Sequence, residues 1–95
     1  MNKEIRRYKL DDIDDLGMTS FVRVDLPKGA KVIDVSRNGE KIFLHVIANH
    51  NNKKKDRWFA IFSERNPMED YEKKTCEYIG MVYSIHHYYI FEVHD

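Results

Sequence analysis

Apolar and polar residues alternate with a period of two along most of the chain, the spacing of strands whose two faces meet different surroundings. The cleanest case is residues 21–26, where Val22, Val24 and Leu26 share one face and Arg23 and Asp25 the other. Residues 41–48 repeat it, with Ile42, Leu44 and Val46 opposite Phe43, His45 and Ile47. Residues 6–10 give a weaker first strand, 31–35 a third, and 77–85 and 88–93 the last two. Residues 57–62 are apolar on both faces, as in a strand with neighbours on either side. Turn residues separate these runs. Pro27-Lys28-Gly29 is one group, and Asn38-Gly39 is the strongest short hairpin signal, because both residues tolerate positive φ. The polar segment 49–56 reads as a second hairpin loop. Asn66-Pro67-Met68-Glu69-Asp70-Tyr71 reads either as one helical turn, with Asn66 as cap and Pro67 first, or as an irregular loop. No run sustains helical periodicity over the roughly 11–18 residues that mark an amphipathic helix. The expectation is an all-β fold: one small antiparallel sandwich or barrel of about six or seven strands, spanning residues 1–95.

Composition narrows what such a fold is for. The chain has 95 residues, 42% of them hydrophobic and 13% aromatic, too apolar for disorder. Sixteen basic residues balance sixteen acidic ones, so the formal net charge is zero. A binder of long polyanions would need a basic excess, so long nucleic acid is not the expected partner. Neutrality also removes one ordinary barrier to self-association. The single cysteine, Cys76, excludes an intramolecular disulfide. Met1-Asn2-Lys3-Glu4-Ile5-Arg6-Arg7 has no apolar signal core behind it, and no apolar run approaches the roughly 20 residues of a membrane span. A soluble, cytoplasmic protein is expected.

Catalytic chemistry finds little footing. His86 and His87 are adjacent, which on a strand sends them to opposite faces, and His45, His50 and His94 show no ligand spacing. No metal site and no cofactor are expected. Cys76 has only Lys73 and Lys74 as nearby cations, Ser63-Glu64-Arg65 lacks the glycine of a nucleophile elbow, and the four glycines are isolated. No carboxylate stands out by an apolar setting. The expectation is a protein that is not an enzyme.

Aromatic residues interleaved with fixed positive charge are more informative. Arg57-Trp58-Phe59 follows Lys53-Lys54-Lys55, Ser63-Glu64-Arg65 leaves the same strand, and Tyr83, His86, His87, Tyr88 and Tyr89 crowd the last hairpin. Arginine offers a planar fork to phosphate or guanine, and aromatic faces stack on bases. The same residues also suit a plain structural role, as core or cross-strand pairs, with the lysine run a solvated loop tip.

Tyr8-Lys9-Leu10, then Val24-Asp25-Leu26-Pro27-Lys28-Gly29-Ala30-Lys31-Val32-Ile33-Asp34-Val35, then Asn38-Gly39 resemble a group of short phage proteins of unknown function. The resemblance continues through Arg57-Trp58-Phe59-Ala60-Ile61, Tyr78-Ile79-Gly80 and Tyr88-Tyr89-Ile90-Phe91-Glu92, so it covers nearly the whole chain in order. Two departures stand out. Ser63-Glu64-Arg65 replaces the group's Gly-Thr-Gly, and Tyr88-Tyr89 replaces its final Trp-His. The resemblance implies a phage-encoded accessory protein of small β-rich fold. Small phage proteins of this kind include counter-defence sponges, which hold a cyclic nucleotide signal of CBASS or Thoeris immunity without hydrolysing it.

The expectation is therefore an anti-CBASS protein in the host cytoplasm that sequesters a cyclic dinucleotide of the cyclic GMP-AMP type. A chain this small rarely encloses such a ligand alone, so a homo-oligomer, dimer or tetramer, with sites at subunit interfaces is expected. Arg57 and Arg65 are the candidates for phosphate or guanine, and Trp58 or Tyr88 for stacking. Ser63 and His87 are candidate hydrogen-bond donors, and Arg7 and Tyr8 secondary candidates. A second expectation is an inhibitor that grips a host protein through an edge strand or aromatic patch. A third is a small virion or assembly protein. A fourth, a binder of single-stranded nucleic acid, is opposed by the zero net charge.

Overall fold

The computed structural model describes residues 2–16, 19–65 and 75–94. They form seven strands and one short turn of 3-10 helix: β1 (Glu4–Asp12), the turn (Ile13–Asp15), β2 (Thr19–Pro27), β3 (Lys31–Asn38), β4 (Lys41–Ala48), β5 (Lys54–Ser63), β6 (Thr75–Tyr83) and β7 (His87–His94). All pairings are antiparallel. One sheet has the order β1-β4-β3 and the other β2-β5-β7-β6. The expected all-β fold is thus a two-sheet sandwich. The segment 66–71, read as a helical turn or loop, lies outside the described residues.

Alternation decides what each strand buries. Ile42, Leu44 and Val46 of β4 are fully buried and face Leu26, Phe59, Ile61 and Ile90 from the other sheet in one shared core. β5 pairs with β2 on one side and β7 on the other, the central place that its two apolar faces suggested. The β3–β4 hairpin turns at Gly39-Glu40, one residue beyond the Asn38-Gly39 signal, with Asn38 paired to Lys41 and Gly39 at φ 61°. Gly29, at φ 79°, ends a tighter turn in which Ala30 N donates to Pro27 O at 3.0 Å.

One connection differs from the sequence reading. Residues 49–56 do not close a hairpin, because β4 pairs with β1 and β3 while β5 belongs to the other sheet. The segment carries the chain across the sandwich, and Lys54 and Lys55 already belong to β5 rather than to a loop tip. β3 of one sheet packs against β6 of the other. A Cβ built on Gly80 would lie 2.7 Å from Val35 Cγ2, so only glycine lets these strands approach so closely.

Candidate functional site

β5 organises the surface as well as the core. Its outward positions are Asp56, Trp58, Ala60 and Phe62, and the register sets Arg23 and Val93 beside Trp58, and Phe21 and Phe91 beside Ala60. Edge-to-face contacts link Phe21 to Phe62 at 6.5 Å, Phe62 to Phe91 at 5.6 Å and Phe91 to Tyr78 at 5.4 Å. The outer face of the four-stranded sheet is therefore an aromatic surface with its own small cluster of Ala60, Phe62 and Phe91. Trp58 stands at one end of it, 48% exposed. There it lines a shallow depression of about 470 Å³, shared with Arg57, Glu92, Gly29, Ala30 and Asp56.

The electrostatics of that depression differ from the sequence expectation. Arg57 donates from Nε to Glu92 Oε2 at 2.5 Å and from Nη2 to Glu92 Oε1 at 2.8 Å, while Nη1 donates to the carbonyl of Ala30. This is a bidentate pair with a third bond, so all three guanidinium nitrogens are engaged. The Glu92 side chain is nearly buried and that of Arg57 is about a quarter exposed. Arg57 is thus a structural cation, not the free phosphate ligand expected of it. With Asp56 also on the rim, the lining holds two carboxylates against one arginine. Glu77, Glu92 and His94 gather within 4.8 Å of one another. Their central carboxylate already has a cation on both oxygens, so a metal ion would have to displace Arg57.

The remaining predicted residues fall in two other places. Ser63, six residues along β5 from Arg57, is roughly 20 Å away at about 3.3 Å per residue. Ser63 is buried, its Oγ accepting from Arg65 N at 3.3 Å, and Tyr88 is in the core. Both side chains are turned away from the surface where a ligand was expected, a placement that follows from strand parity, since Ser63 and Tyr88 pair across β5 and β7 on the inward side. Arg65 is exposed. His87 Nδ1 donates to Glu64 Oε2 at 2.9 Å, and His86 Nδ1 lies 3.7 Å from Glu64 Oε1. The two histidines thus converge on one carboxylate instead of pointing apart, because His86 belongs to the turn that precedes β7. The His87 hydrogen bond is the main cause holding the Glu64 carboxyl below its ordinary value. Arg7 and Tyr8 lie on the other sheet. Arg7 covers the Phe43 ring at 4.9 Å. The Tyr8 hydroxyl donates to His50 Nδ1 at 2.7 Å, since His50 Nε2 must donate to the Glu4 carbonyl at 2.8 Å.

The structure therefore joins Arg57 and Trp58 in one depression and separates them from the other six. Residues 1–95 match the family model described as "Domain of unknown function (DUF7352)". The chain belongs to that family. No curated protein and no solved structure matches it.

In this DUF7352 domain the surface that sequence reasoning missed is the exposed part of the outer sheet face: Phe21, Tyr78, Met81 and Tyr89, each more than a third exposed, together with Arg23. The signal was present. Phe21 shares its parity with Arg23 and Asp25, the face opposite the core residues Val22, Val24 and Leu26. An aromatic residue on the polar face of a strand is either covered by a neighbour or offered to a partner.

Proposed function

We propose that this DUF7352 chain is a non-catalytic capture protein that takes a cyclic dinucleotide, with one base stacked on Trp58 in the depression beside Arg57. The carrying observation is the half-exposed indole beside a hollow of about 470 Å³, within the range of small-molecule sites. Asp56 at the rim suits the amino and imino donors of a purine edge, which a carboxylate accepts. Lys28 and Lys31, exposed and next in sequence to the lining residues Gly29 and Ala30, are the cations assigned to phosphate in place of the occupied Arg57. The resemblance to phage proteins supports the choice of ligand and a role in blunting host immunity in the host cytoplasm.

Trp58 is the chain's one tryptophan, so its fluorescence reports directly on the site. Titration with cyclic GMP-AMP is expected to quench it, and the nucleotide recovered after heat release is expected to be intact. Base–aromatic stacking contributes roughly 1–3 kcal/mol, so Trp58→Ala should weaken binding, followed by calorimetry, about ten- to a hundredfold. Neither quench nor heat with any of a panel of cyclic dinucleotides at micromolar protein would retire this reading.

A second reading, inhibition of a host protein, is favoured by the exposed Phe21, Tyr78, Met81 and Tyr89, which lie beyond the depression. It predicts a stoichiometric protein partner that binds wild type, is released by Tyr78→Ser with Met81→Ser, and is retained by a chain whose Trp58 emission ignores nucleotides.

A further inference from the structure

The four sheet edges are not alike. β1 carries a bulge between Lys9 and Asp11, β3 one between Val32 and Asp34, and β6 one between Tyr78 and Gly80. Bulges twist an edge and break the row of backbone groups that another strand would read, an ordinary protection of sheet edges. β2 has none. Its register with β5 runs unbroken from Thr19 opposite Phe62 to Pro27 opposite Lys54, and among the described residues β2 pairs with β5 alone. Within this regular run, residues 22–26 have no described strand on their other side.

The side chains of β2 carry a self-complementary code. Arg23 and Asp25 point outward and Val22, Val24 and Leu26 inward. We propose that β2 is the seam of a homodimer, in which a second copy adds its own β2 antiparallel about a two-fold axis at Val24. The two four-stranded sheets then become one of eight. In this register Arg23 lies opposite the partner's Asp25, and Asp25 opposite the partner's Arg23. Val22 lies opposite the partner's Leu26, so apolar residues continue the inner face. The neighbouring two-fold registers, centred on Arg23 or on Asp25, set like charges directly opposite each other, which is destabilising. Arg23 is available for the contact. Its guanidinium is more than half exposed, with Asp56 at a loose 3.7 Å. A chain of zero net charge adds no long-range repulsion between copies. The pairing also carries Trp58 of both copies onto one continuous outer face. It thereby deepens the capture reading, although the seam itself rests on β2 alone.

The test is sedimentation of the full chain without nucleotide. Wild type is expected to be a dimer at micromolar concentration. Arg23→Asp and Asp25→Arg, each confirmed as folded by circular dichroism, are each expected to weaken it at least tenfold. Mixing these two variants should restore dimers, because each then meets opposite charges across the seam, and the double variant should dimerise by itself. A monomeric wild type, a dimer indifferent to either reversal, or folded variants that do not recover on mixing would overturn the proposal. The two readings fail separately. A dimer with silent Trp58 leaves the seam and removes nucleotide capture; a monomer that quenches does the reverse.

Discussion

Arg57 shows how one residue's role turns on a partner far away in sequence. Beside three lysines and a tryptophan it resembles a ligand cation, yet Glu92, 35 residues on, takes its fork. Breaking a largely buried pair strands the surviving charge in a low-dielectric setting, whereas replacing both partners with apolar residues removes that penalty. Arg57→Ala is expected to cost about 3 kcal/mol, a fall in Tm of more than about 10 °C for a domain of this size. Arg57→Met combined with Glu92→Leu should recover most of it in the same melting experiment. Glu92 was legible in principle, because Tyr88, Ile90 and Glu92 share one parity; its pairing was not, since no local pattern specifies a contact between strands. Glu64 is a different case, an exposed carboxylate held below its ordinary value of 4.5 chiefly by the His87 hydrogen bond. A carboxyl with a lowered folded value contributes stability above its unfolded value and loses it as pH falls through the folded one. Glu64→Gln should therefore lower Tm slightly near neutrality, where the contribution is fully present, and flatten its decline below about pH 4.5 so that the two proteins converge, a comparison made by calorimetry across acid pH.

At the scale of elements, Gly80 decides how closely β6 approaches β3. A methyl there would press on Val35 Cγ2 at 2.7 Å inside the core. Overpacking of this kind commonly costs about 1–3 kcal/mol. Gly80→Ala is expected to destabilise within that range by urea unfolding, and Val35→Ala added to it should cost less than the two changes summed, because each relieves the other. The strands themselves were plain in the sequence. Each of the seven was marked by alternation or by a β-rich run, and Asn38-Gly39 marked its hairpin to within one residue. What alternation does not encode is which strand sits beside which. Residues 49–56 have the polarity and length of a hairpin loop, and nothing within them states that β4 and β5 belong to different sheets. Strand parity, by contrast, was available and underused at Ser63 and Tyr88, whose inward side follows from Phe59 and Ile61.

For the whole molecule, the equal numbers of acidic and basic residues have a geometric meaning. Several charges are paired locally, Arg57 with Glu92, Lys9 with Asp12 and Arg6 with Glu4, and the chain has no net charge to draw a partner in from a distance. Recognition then falls to shape, stacking and matched pairs, which suits a compact ligand held at Trp58 and a self-complementary strand at β2. The two proposals share this origin, and both place the working surface on the outer side of the four-stranded sheet, away from the sheet built of β1, β4 and β3.

The strand order has a consequence for the way the molecule comes into being. Among the described residues only β3–β4 and β6–β7 join sequence neighbours; β1 pairs with β4 and β2 with β5, across most of the first half of the chain. Contacts so distant in sequence make folding slow, because loop closure must precede any gain from pairing. On a ribosome, β1 and β2 are made before either has a strand to join, and β2 acquires its partner only as residues 54–63 are added. The regular strand at the sheet's edge is therefore also the one that waits with both sides of its backbone open. A nearby nascent copy offers that strand the same sequence it would meet in the finished dimer.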